Sequence, residues 1–254
     1  MEVLQRPGGE LATRPIHFFW VVDCSGSMYG EKIGIVNNTI QECIPEMRSA
    51  ADNNPNAQLL IRALQFSSGA SWITSSPVPV EDYGWEDMDA NGLTEMGKAF
   101  DLLAAQLSIP PMPERALPPV IVLLSDGQPT DDYKKSMEKL KKLPWFRKAV
   151  KIAISIGQDA DDEVLIEFTG NKELVLQANN ATALAKMIKW ASTTASMVSA
   201  PSSKPMNSVA ASTPAASVST PADDPFAPAN NGAPLVLDMS NIPNPDDFDE
   251  GAVW

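Results

Sequence analysis

From residue 16 to residue 190, short apolar runs alternate with longer amphipathic stretches. This alternation limits the fold more than any other property of the chain. The runs 16–22 and 120–124 are almost unbroken in apolar character, which marks strands buried on both faces. Ile33, Val36, Ile40, Ile44 and Met47 recur at helical spacing and predict a helix over 31–51. The same reading predicts strands over 58–66, 151–156 and 174–176, with a hairpin partner at 70–74. It predicts further helices over 94–107, 131–146, 161–168 and 181–191. Strands alternating with helices imply an α/β fold of Rossmann-like type, a mostly parallel central sheet with helices on both faces. Ligands of such sheets bind at the carboxyl ends of the strands, where strand order reverses.

The chain has 254 residues and a formal charge of −13. That length suits one α/β domain over 14–192, a short N-terminal extension over 1–13, and an appendage over 193–254. Ser, Thr, Ala and Pro dominate the appendage. It carries Asp223, Asp224, Asp238, Asp246, Asp247, Asp249 and Glu250 against Lys204, a net −6. Such a segment buries too little to offset its chain entropy, so a disordered acidic tail is expected. Clustered Lys and Arg for phosphate contacts are missing, which argues against nucleic acid as a partner. The basic run 134–151 has helical spacing and reads as a solvated helix face.

Two cysteines, Cys24 and Cys43, allow neither a disulfide framework nor a four-ligand zinc site. Both are read as reduced. Residues 1–6 lack the apolar core of a signal peptide, and no run approaches the ~20 apolar residues of a membrane span. A cytoplasmic protein with no membrane contact is the expectation.

Chemistry concentrates where the apolar runs stop. Asp23, Ser25 and Ser27 follow directly on the run 18–22, with Gly26 to let the loop turn and the hydroxyls converge. Thr94 opens the predicted helix over 94–107. Asp126 follows the run 120–124. Asp23, Ser25 and Ser27 are hard oxygen donors, which suit Mg²⁺, Mn²⁺ or Ca²⁺ over a soft metal. All three loops fall at the carboxyl edge of the predicted sheet. Ser125 reads as a strand-end residue outside this set, and Thr130, Asp131 and Asp132 read as a cap for the helix that follows them.

The pattern Asp23-x-Ser25-x-Ser27, with Thr94 and Asp126 in that order, resembles the metal-ion-dependent adhesion site of von Willebrand factor A domains. The segments 126–132 and 28–33 are similar to those of TerY-like A domains, the bacterial group named for tellurite resistance. The resemblance covers about 14–192. It implies a divalent cation, with Mg²⁺ favoured, held by Asp23, Ser25, Ser27, Thr94 and Asp126, and a protein partner that offers an Asp or Glu to the ion. It further implies a non-enzymatic interaction adaptor in a stress-response or defence module with a Ser/Thr kinase and a PP2C-type phosphatase. Some TerY-like proteins carry a cysteine-rich zinc module, which two cysteines cannot supply.

The residues also admit two other readings. A hydrolase needs a base within reach of Ser25 or Ser27, and the one histidine, His17, lies at the start of the first strand as a partly exposed residue. A phosphorylated scaffold would act through the tail. Thr213 and Thr220 each precede Pro, and Thr220 is followed by Asp223 in the spacing that forkhead-associated (FHA) domains read. Two apolar islands there, with Leu235 and Leu237 in one and Phe248 and Trp254 in the other, are candidate docking motifs.

Overall fold

The computed structural model describes residues 14–52, 57–126, 128–158, 160 and 162–198. Seven strands form one sheet in the order β3-β2-β1-β5-β6-β7, with β4 also paired to β2. These are β1 (Arg14–Asp23), β2 (Ala57–Ser67), β3 (Gly69–Trp72), β4 (Val78–Pro79), β5 (Val120–Ser125), β6 (Val150–Ile156) and β7 (Val175–Ala178). All pairings are parallel except those of β3 and β4 with β2. β1 is central, with β2 on one side and β5 on the other. The order therefore reverses between β1 and β5, the position where such sheets bind ligands.

Side chains alternate across each strand, so one strand feeds two cores. Phe18, Trp20 and Val22 of β1 pack with Val122 and Leu124 under α1 (Glu31–Asp52) and α6 (Ala181–Val198). Phe19 and Val21 pack with Ile121 and Leu123 on the other face. That face is covered by α2 (Met96–Gln106), α3 (Tyr133–Lys142), α4 (Pro144–Lys148) and α5 (Asp162–Thr169). Residues 18–22 are fully buried, each contributing about 1.5–3 kcal/mol relative to exposure. Among the described residues, no helix is long and apolar enough to cross a membrane.

Three expectations need correction. The helix over 131–146 is two helices: Leu143 precedes Pro144, whose ring disfavours helical backbone in the residue before it, and Leu143 is extended. Pro144 then starts α4, where its missing N–H costs nothing. The last helix continues to Val198, beyond its predicted end at 191. The tail sites Thr213, Thr220, Leu235, Leu237, Phe248 and Trp254 lie outside the described residues.

His17 is the third correction. It is 4% exposed and stacked on Phe19 at 5.9 Å, because the strand begins three residues earlier and β2 already runs alongside it there. Neither ring nitrogen has a hydrogen-bond partner among the described residues, and burial lowers its pKa to about 4. The fold thus holds it neutral, whereas the unfolded chain takes a proton near pH 6.5. Its contribution to stability is present above pH 6.5 and declines as pH falls towards 4. We expect His17→Leu to gain on wild type by about 2–3 kcal/mol when urea unfolding is compared at pH 7 and pH 4.5. A gap that stays constant with pH would show the ring is not held neutral.

Candidate metal centre

The chain leaves the sheet at Asp23 and passes through Ser25 into a 3₁₀ turn, Gly26–Met28. Asp23 is fully buried. Its Oδ1 accepts the Ser25 N–H at 2.9 Å, and its Oδ2 accepts the Ser125 hydroxyl at 2.6 Å. Among the described residues no Lys, Arg or His forms an ion pair with it. Burial pushes its carboxyl up to about 6; hydrogen bonds from Ser125 and Ser25 oppose the shift and the Asp126 charge adds to it.

Ser25 is buried and Ser27 exposed, with their Oγ atoms 3.0 Å apart. Ser27 donates in turn to Asp126 Oδ1 at 2.7 Å. The β1 and β5 ends are therefore tied by two side-chain bridges, Ser125 to Asp23 and Ser27 to Asp126.

The Thr94 loop joins through its backbone. The Gly26 N–H donates to Gly92 O at 3.0 Å, and the Asn91 N–H to Cys24 O at 2.8 Å. Gly26 serves this close approach: a β-carbon there would stand 3.3 Å from Gly92 O. Thr94, 5% exposed, donates its N–H to Thr130 Oγ1 at 3.2 Å, and the Thr130 N–H returns a bond to Thr94 O at 2.9 Å. All three predicted loops thus meet at one edge.

Four participants escaped the sequence reading. Ser125, set aside as a strand-end residue, clasps Asp23. Lys32, on the first turn of α1, contacts Asp126 Oδ2 through Nζ at 2.6 Å. Thr130 braces Thr94. Asp131 caps α2, not the helix that follows it: its carboxylate accepts the Gly97 and Lys98 N–H groups at 3.0 and 3.1 Å. Glu95 at the start of α2 makes no side-chain cap, so these amides need an acceptor from elsewhere. A β-carbon on Gly97 would stand 2.8 Å from Asp131 Oδ2, so glycine there admits the carboxylate. An uncapped helix start with Gly at its second position is the only sequence signal for this contact.

The donor chemistry fits a hard dication. Two carboxylates and three hydroxyls stand on loops tied together, and one carboxylate is buried without a cation. Among the described residues no three His, Cys, Asp or Glu side chains cluster as a metal site, so any ion here relies on hydroxyl oxygens. Cys24 is not a ligand candidate. Burial, with the charges of Asp23 and Asp89, pushes its thiol up to about 12, and its Sγ faces Met88 Sδ at 3.7 Å. Both cysteines are buried, and neither forms a disulfide among the described residues. His17 lies six strand residues from Asp23, roughly 20 Å away, so it cannot serve Ser25 or Ser27 as a base.

The family model for the von Willebrand factor type A domain matches residues 19–190. The chain belongs to this family. Solved structures share the fold of this A domain. The ArnB paralog VWA2 from Sulfolobus acidocaldarius aligns with a TM-score of 0.53 and 17% identity, over 70% of this chain and 45% of that one. Proximal thread matrix protein 1 from the mussel byssus, with a zinc-occupied MIDAS motif, aligns with a TM-score of 0.51 and 18% identity, over 74% and 47%. The PilB minor pilin from Streptococcus sanguinis aligns with a TM-score of 0.54 and 16% identity, over 76% and 64%. The chain spans about half the length of the first two. Sequence comparison with curated proteins gives no match.

Asp131→Ala should cost the A domain about 1–2 kcal/mol in urea unfolding, the range for loss of a helix cap. Asp131→Asn, which keeps one acceptor, should cost less. An unchanged midpoint for the Ala variant would show that the α2 amides find another partner.

Proposed function

We propose that this A domain is a metal-dependent protein-interaction adaptor. It holds a divalent cation, with Mg²⁺ preferred, on Asp23, Ser25, Ser27, Thr94 and Asp126. The observation that carries the reading is a buried carboxylate without a cation partner, in a site assembled from three cross-tied loops. An ion there supplies positive charge that an acidic partner group can meet, in a partly dry interface where Coulomb attraction exceeds that in water.

The protein side of the interface has its own support. Tyr29 and Leu93 are 79% and 56% exposed, and they sit on the two loops that carry Ser27 and Thr94. Large exposed apolar side chains beside a polar centre are what an interface core needs. A partner with an Asp or Glu flanked by apolar residues fits this rim.

The finer reading places the protein in a TerY-like stress-response or defence module with a Ser/Thr kinase and a PP2C-type phosphatase. Its support is the sequence likeness over 126–132 and 28–33. A cytoplasmic location and a phosphorylated tail at Thr213 or Thr220, read by an FHA-domain protein, belong to the same proposal. So does docking through Leu235, Leu237, Phe248 and Trp254.

Calorimetry with MgCl₂ tests the metal. Wild type should take up one ion, and Asp23→Ala should show no heat at concentrations that saturate wild type. Ser125→Ala, which releases the Asp23 clasp, should lower affinity by roughly 10–100-fold, the usual range for a group that orients a ligand. Equal heats for wild type and Asp23→Ala would end the metal reading.

A further inference from the structure

All four carboxylate oxygens at this edge have hydrogen-bond partners, and one of those partners is a cation. Asp23 receives Ser25 N–H and Ser125 Oγ, and Asp126 receives Ser27 Oγ and Lys32 Nζ. The Asp126 side chain is fully covered and that of Lys32 is 18% exposed, so solvent and salt screen this pair less than a surface pair. The ammonium also reaches the turn after β6: a β-carbon on Gly157 would sit 3.4 Å from Nζ. Lys32 therefore lies between the β5 and β6 ends, inside the group of charges that would surround an ion.

The charge count follows. Asp23 and Asp126 with Lys32 sum to −1, and a dication brings the set to +1. Without Lys32 the two aspartates sum to −2, and the loaded set to zero. A positive charge so close to the ion opposes its entry. The same charge leaves the loaded centre attractive to an anion. In the metal-free protein it neutralises Asp126, which would otherwise stand uncompensated near Asp23.

Resting on the metal reading above, we infer that Lys32 is a built-in counter-cation of the centre. It holds Asp126 before the ion arrives, weakens affinity for the ion, and keeps the loaded site net positive towards an acidic partner group. The long flexible stem lets the ammonium withdraw from Asp126 when the ion enters.

The test uses the full chain and MgCl₂ at constant ionic strength, with Lys32→Met to remove the charge but keep the stem, and Lys32→Arg to keep the charge. Lys32→Met should bind Mg²⁺ at least tenfold more tightly than wild type, and Lys32→Arg no more tightly than wild type. In EDTA the thermal midpoint of Lys32→Met should fall below that of wild type and recover with Mg²⁺. Sodium acetate, titrated into Mg²⁺-saturated protein and followed by the Thr94 amide NMR shift, should bind several-fold more weakly in Lys32→Met.

Mg²⁺ affinity that is unchanged or lower in Lys32→Met would overturn the inference and leave Lys32 as a support for Asp126. No heat with wild type or any variant would remove the metal reading itself, and this inference with it. Should Lys32→Met fail to fold by circular dichroism, Lys32→Gln carries the same comparison.

Discussion

A buried carboxylate at the end of the central strand governs this edge of the molecule. Removing Asp23 from water without a cation is costly, and the fold answers with donors: a backbone amide two residues on and a hydroxyl from the neighbouring strand. Those donors do not supply charge. The carboxyl group is therefore held well above the ordinary aspartate range. A site that keeps an anion dry and short of positive charge is prepared for a cation, and the hydroxyls of Ser25 and Ser27 complete its oxygen-rich surroundings.

The loops around Asp23 anchor Cys24, Met28, Met88 and Ala90 in the core, and hydrogen bonds between the loops fix their polar tips. The Asp23–Met28 segment hangs on the Thr94 loop through Gly26 and Cys24, and the Thr94 loop hangs on the β5–α3 loop through Thr130. Asp131 extends this bracing to the start of α2, which links helix position to loop position. A displacement of any one loop is thus felt by the other two. Tyr29 and Leu93 lie outside this bracing, exposed on the loops that it fixes. For the proposed adaptor role, rigid polar support beneath exposed apolar groups leaves little freedom to lose on docking.

The sequence made the layered architecture legible because strand and helix periodicity are local. Phe18 to Val22 had to be a doubly buried strand, and Ile33 to Met47 a helix with one apolar stripe. Asp23, Ser25 and Ser27 are legible because they stand where such a strand stops, whereas Thr94 and Asp126 join them only through the resemblance to A domains. His17 was misplaced because exposure at a strand end depends on what other layers cover it. The break at Leu143 was written in Pro144, but the run of apolar spacing through it concealed the change of axis.

What the sequence alone determined, then, is which segments form the sheet and which oxygen-bearing loops stand at its carboxyl edge. What only the tertiary structure decided is who meets whom there. Ser125 turning to Asp23, Lys32 reaching Asp126, and Asp131 capping a helix 34 residues earlier are contacts between distant parts of the chain. No periodicity encodes such pairs. They exist because parallel strand order brings β1 and β5 side by side, and because charge and amide groups taken out of water must find partners wherever the fold supplies them.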